Sequence, residues 1–375
     1  MEAWCHRFGS MRSSRCPLVL APVALIAVSA VLLQAQTATC LATIRTMTPV
    51  SFTAPSELDA SASRELPSSH TSPLVLVADV PLPGPAKRFD YQSFDSTTSR
   101  LYISHMHGDR LDVFDTRAAK LVASVEGFPG ATGVWAVPAL HKVYVSVTGR
   151  RQVAVVDDRS LRTIASVSGA DFPDGIAYAP DEHLIFVSDE HGGVDLVIDG
   201  STNERVARVP LGGEAGNTHY DPVSHCMLVA VQTRNELAAI DPRTRRIVAR
   251  YPMPCEHPHG FLIEERTRLA FVTCEGDAKL LVLDLRTMRV TATLAVPDDP
   301  DVLAFDRGLR RLYVACESGA VAVFDLRDAK LTPLGVYRAP YAHSVAVDPA
   351  THRVYLPLQD VGGRPVLRIL QPAPR

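Results

Sequence analysis

The chain has 375 residues, with 38 Lys and Arg against 41 Asp and Glu, so its formal net charge is −3. A balance that close to neutral excludes a general nucleic-acid binder, which carries a basic excess. Hydrophobic residues make up 46% and charged residues 21%, which excludes wholesale disorder, and 22 Gly with 28 Pro point to many turns and few long helices.

A short basic stretch, Met11 to Arg15, precedes an unbroken apolar run from Pro17 to Leu33, after which small and polar residues follow. That order is the order of a secretory signal. Residues 1–42 are predicted to be a signal peptide cut within Ala35 to Ala42, with an uncleaved anchor as the alternative. Thr37 stands where a lipidation motif ending at Cys40 would need a large aliphatic residue, so lipidation is not expected. Residues 43–73 are rich in Ser, Thr, Ala and Pro and read as a flexible tether. The chain is therefore expected outside the cytoplasm, periplasmic or extracellular, meeting a membrane only through its N-terminus.

From residue 74 the chain repeats. An apolar quartet with an aromatic second residue recurs as Leu101-Tyr-Ile-Ser, Val143-Tyr-Val-Ser, Ile185-Phe-Val-Ser, Ala270-Phe-Val-Thr, Leu312-Tyr-Val-Ala and Val354-Tyr-Leu-Pro, with Met227-Leu-Val-Ala as the aliphatic member. A second apolar run follows each and closes on Asp115, Asp157, Asp199, Asp241, Asp284 and Asp325, at spacings of 42, 42, 42, 43 and 41 residues. In the third unit the predicted strands are Ile176 to Ala179 (A), Leu184 to Ser188 (B), Gly193 to Ile198 (C) and Arg205 to Val209 (D). Each closing Asp is expected to form an Asx-turn into strand D.

Four-stranded units of 40–45 residues are propeller blades. The last unit supplies three strands, Ser344 to Val347, Val354 to Leu358 and Val366 to Leu370, and then the chain stops. The lone strand beginning at Leu74 completes it and removes an open edge. The fold class is thus all-β: residues 74–375 form a seven-bladed propeller of four-stranded blades, closed by the N-terminal strand and expected to be a monomer. The aromatic quartets resemble the YVTN-type repeat and the exported YncE-like propellers. That resemblance covers the whole repeat region and implies the fold. It implies no reaction, because that family has no single agreed one, and fold does not choose a function.

Strand A starts where strand B ends, so the D–A and B–C loops share one face of the disc. Twelve residues before each aromatic lies the column Asp90, Thr132, Asp174, Gly216, His259, Asp301 and His343, with Asn217 beside its glycine. Four residues after each aromatic lies the column Met106, Thr148, Glu190, Gln232, Glu275, Glu317 and Gln359. Both columns belong to the mouth of the central channel. Asp90, Asp174, Glu190, Asn217, Glu275, Asp301 and Glu317 are the candidate ligand-binding residues. His259, His343, Asp301 and Asp90, from blades adjacent around the ring, are candidate ligands for a divalent metal ion or an acid–base set.

Two His-x-His pairs, His105 with His107 and His257 with His259, would each present two imidazoles together in extended chain, which adds His257 to the candidate metal ligands. His141, His183, His225 and His352 share an A–B turn column on the opposite face and read as turn chemistry. Cys255, Cys274 and Cys316 approach one region, and buried thiols are favoured there over a disulfide or a soft-metal site. No CxxC, GxSxG, HExxH, P-loop or GxGxxG motif occurs. The sequence reads as a binding or scaffold protein of the cell envelope, holding a small molecule, a metal ion or an envelope protein at this mouth. The rival reading is a metal-assisted lyase or hydrolase, or an oxidoreductase, using the same residues.

Overall fold

The computed structural model describes Cys40 and residues 72–374; the rest of the expected signal segment and most of the expected tether lie outside the described residues. Seven antiparallel sheets of four strands each form the ring. Blades 1 to 6 occupy residues 92–126, 131–168, 173–210, 215–252, 258–295 and 300–338 in chain order. Within each, strand A comes first in sequence and pairs with B, B with C, and C with D.

The third blade runs Pro173–Ala179, Leu184–Asp189, Val194–Asp199 and Arg205–Pro210, within two or three residues of the predicted bounds. Blade 7 takes Ala346–Asp348, Arg353–Leu358 and Val366–Pro372 from the end of the chain. Leu74–Pro81 pairs antiparallel with Val366–Pro372 as its outer strand, so the first strand of the ring lies beside the last.

The core consists of interfaces between blades. Each of seven apolar clusters draws on two neighbouring blades. One joins Tyr102 and Val113 of blade 1 to Val143 and Val145 of blade 2. The closing one joins Leu101, Ile103 and Phe114 of blade 1 to Tyr355, Leu367 and Ile369 of blade 7. The strand-B aromatics Tyr102, Tyr144, Phe186, Phe271, Tyr313 and Tyr355 are all fully or almost fully buried. A strand covered on both faces needs continuous apolar residues, which is why the quartets do not alternate with polar ones.

The closing Asp residues act as expected in five blades. Asp115, Asp157, Asp199, Asp241 and Asp284 each accept a backbone N–H two or three residues on, at 2.7–3.2 Å. At Asp325 the carboxylate accepts from Arg327 Nε at 2.8 Å, and the C–D hairpin continues to an Arg327–Lys330 pair. His141, His183, His225 and His352 all adopt left-handed backbone in the A–B turns, with φ between 52° and 58°. Two of these rings tie neighbouring blades together, His225 to Asp181 at 2.6 Å and His352 to Asp306 at 2.7 Å.

Candidate functional site at the channel mouth

The inner-column residues sit where strand A is irregular. In blades 2 to 6 the A–B pairing slips just after the first residue of strand A, between Pro258 and Phe261 in blade 5 and between Pro300 and Leu303 in blade 6. A bulge re-aims the side chain it carries, and here it carries His259 and Asp301. Blades 1 and 7 reach the same position by starting strand A later, at Gln92 and Ala346, so Asp90 and His343 precede it. Neighbouring bulges nest: Thr273 Oγ1 lies 2.9 Å from the Gly260 carbonyl and 3.1 Å from the Asp301 carbonyl, to which it donates.

Asp301 is the centre of the arrangement. Its Oδ1 lies 3.3 Å from His259 Nε2 and its Oδ2 lies 3.2 Å from His343 Nε2. Glu275 Oε1 approaches His259 Nδ1 at 3.8 Å, and Glu317 Oε1 approaches His343 Nδ1 at 3.1 Å. Two groups of possible ligands therefore share Asp301: His259, Glu275 and Asp301, and His343, Glu317 and Asp301. In each, one ligand atom per residue lies within 4.8 Å of the others. Asp90 Oδ1 lies 2.8 Å from His343 Nε2 but belongs to neither group.

The electrostatics follow from packing carboxylates under cover. Burial and repulsion from Asp90 hold the Asp174 carboxyl well above its ordinary range. Burial likewise raises Asp301 against the pull of both imidazoles, and pushes Glu275 up to about 7. Burial disfavours the His259 imidazolium, yet Asp301, Glu275 and Asp174 outweigh it and raise its pKa to about 9. His343 is raised too, burial being overcome by Asp90 and Asp301. Glu317 goes the other way, down to about 2, because it bonds His343 and pairs with Arg88. Two buried polar atoms at the centre have no hydrogen-bond partner among the described residues, His259 Nδ1 and Asp301 Oδ1. Unpaired buried polar atoms are costly and rare.

Of the candidate residues, Asp90, Asp301, His259, His343, Glu275 and Glu317 meet in one connected set. Asp174 joins through His259, at 4.0 Å from Nε2. Glu190 accepts from Gln232 Nε2 at 3.1 Å, and Asn217 is buried next to Gly175. His257 does not join. Its φ is +52°, a left-handed turn residue, so alternate side chains do not point the same way, and the residue is exposed. Asp299 and Tyr341, each two residues before a column residue, take the same conformation at φ 54° and 68°. The other His-x-His pair fails similarly. His105 is fully buried and stacked on Phe89 at 3.9 Å, a 3-10 turn begins at Met106, and His107 is exposed.

Two residues at the mouth escaped the sequence reading. Arg88 forks onto Glu317 at 3.0 and 3.1 Å and reaches His343 Nε2 at 3.3 Å. Tyr91 Oη lies 3.1 Å from His259 Nε2 and 3.3 Å from Asp174 Oδ2. Tyr91 follows Asp90 directly, so the columns' immediate neighbours carried the signal.

The expectation of buried thiols needs correction. Cys255 is bonded to Cys274 within blade 5, across the D–A loop and the end of strand B, which face each other where strands A and B pair. Cys40 is bonded to Cys226 of blade 4, 186 residues away. Cys316 keeps a free, buried thiol whose pKa burial pushes up.

The solved structure of Kuenenia stuttgartiensis hydrazine synthase is similar to this chain, at 19% identity and a TM-score of 0.63, over 76% of this chain and 96% of that one. At that identity the likeness carries the propeller fold alone. No protein-family model matches the sequence, and no curated protein matches it.

Proposed function

We propose that the protein is a binding protein of the cell envelope that holds one divalent metal ion at its channel mouth, through His259, Glu275 and Asp301. The observation that carries this is a pair of nine-tenths-buried atoms, His259 Nδ1 and Asp301 Oδ1, that make no hydrogen bond among the described residues and only ionic contacts at 3.8 and 3.3 Å, inside a group whose ligand atoms lie within 4.8 Å. A metal bound at about 2.0–2.2 Å brings its ligands to such separations. One imidazole and two carboxylates suit zinc, manganese or ferrous iron. The ion would also offset the burial and, behind it, the like-charge crowding that raise Asp174, Asp301 and Glu275. Two disulfides support export, since such bonds persist in oxidising compartments.

Three protein ligands leave a coordination position free, and this favours a metal-assisted hydrolase or lyase as the second reading. The first test is thermal unfolding with Mn²⁺ or Zn²⁺, because a ligand that binds only the folded state raises the midpoint. A rise in the wild type that Glu275→Gln abolishes supports the proposal. No rise with any divalent ion counts against both readings.

A further inference from the structure

We infer that the mouth contains a second metal half-site, Asp301, Glu317 and His343, which Arg88 keeps closed, so that this arginine fixes the metal stoichiometry at one. The inference rests on the reading just given. Its basis is a comparison of the two sides of Asp301. Each carboxylate oxygen faces one imidazole, Oδ1 to His259 and Oδ2 to His343, at 3.3 and 3.2 Å. Each imidazole presents its other nitrogen to a glutamate, Glu275 or Glu317. Both sides meet the same distance condition for ligating one ion. A carboxylate with a metal-binding set on either side is the bridge of a two-metal centre, where ions stand about 3.5–4 Å apart.

The sides differ in what else meets each imidazole: Asp90 Oδ1 lies 2.8 Å from His343 Nε2, and Tyr91 Oη lies 3.1 Å from His259 Nε2. They differ most in their cations. Glu317 is bound at both oxygens by the Arg88 guanidinium, which also reaches His343. Among the described residues, no Lys or Arg side chain pairs with Glu275 or His259. Arg88 thus places a permanent positive charge where the second ion would sit, and it takes the glutamate that the ion needs. A guanidinium cannot give up its proton to make way. It can leave, however. The Arg88 and Glu317 side chains are each 37% exposed, so water can take over the arginine's contacts when the pair opens, and His343 keeps Asp90 and Asp301 beside it. A second ion would therefore enter only by displacing the arginine, and would bind more weakly than the first.

The test is equilibrium dialysis of the purified full chain against Mn²⁺, with electron paramagnetic resonance to separate isolated from coupled ions. The wild type should bind one Mn²⁺ with an uncoupled signal. Arg88→Met should bind two, with the coupled signal of a bridged pair, and Arg88→Met/Glu317→Gln should return to one. Arg88→Lys keeps the charge and should stay at one. Circular dichroism of each variant establishes that it is folded. One ion in folded Arg88→Met, or two in the wild type, would overturn the inference and leave the one-metal reading standing. No bound ion in any of them would overturn both.

Discussion

Gly260 lies so close to Asp301 that a Cβ at position 260 would stand 1.8 Å from the Asp301 carbonyl oxygen. Blade 5 presses its bulge against the backbone of blade 6 at the residue that both histidines face. Gly133 stands in the same relation to the carbonyl of Asp174, also at 1.8 Å. Neither contact can be relieved by rotating a side chain, because the obstacle is backbone. Gly260→Ala should cost about 1–3 kcal/mol of stability through overpacking, and it should weaken Mn²⁺ binding about tenfold or more by shifting Asp301. Gly133→Ala should destabilise comparably and leave Mn²⁺ binding unchanged. Chemical denaturation and metal titration of the two variants side by side check this. Equal losses of metal affinity would show that the bulge does not position the site.

His219 makes the ring acid-sensitive. It packs edge-on against Trp135 at 6.0 Å and Phe261 at 4.8 Å, and burial lowers its pKa from 6.5 to about 4. The unfolded chain takes up a proton near pH 6.5, while the folded chain resists until about pH 4. Stability contributed by the neutral ring is complete above pH 6.5 and lost as pH falls toward 4, on the order of 1–3 kcal/mol. His219→Phe should flatten that part of the pH–stability curve relative to wild type. If the difference between the two curves is constant from pH 7 to pH 4, the lowered pKa is wrong.

The thiols report on export and on the N-terminus together. If a leader is cut as the sequence predicts, Cys40 stays linked to Cys226 in the mature protein only when the cut precedes Cys40. Mature protein that has lost Cys5 and Cys16 with the leader, denatured without reductant, should alkylate at a single thiol, Cys316, whereas the uncleaved chain should alkylate at Cys5 and Cys16 as well. The native mature protein should alkylate at none, since that thiol is buried. Non-reducing peptide mapping should recover Cys40 linked to Cys226 and Cys255 linked to Cys274. Alkylation of Cys255 or Cys274 in the unreduced chain would refute the pairing.

The ring was legible because it is periodic: seven apolar quartets, six of them with an aromatic second residue, and six closing Asp residues each repeat one local solution. The candidate site was legible in part for the same reason, since Asp301, His259, His343 and the two glutamates occupy repeat columns. What failed were inferences that assumed extended chain between columns. His257 and His105 were paired with their neighbours by alternation, but a left-handed turn residue and a 3-10 turn break it. Arg88 lay outside both columns, two residues before Asp90, and its importance comes from reaching across the ring closure to Glu317, a partner 229 residues away. The Cys40–Cys226 bond spans a still unrelated pair of segments. No periodicity marks a contact that occurs once.

The most direct measurement is the metal content of the purified mature protein, by elemental analysis, for the wild type and for His259→Ala. One divalent ion per chain in the wild type, absent from folded His259→Ala, is the result predicted. No stoichiometric metal in the wild type after reconstitution, or an unchanged content in His259→Ala, would contradict the account.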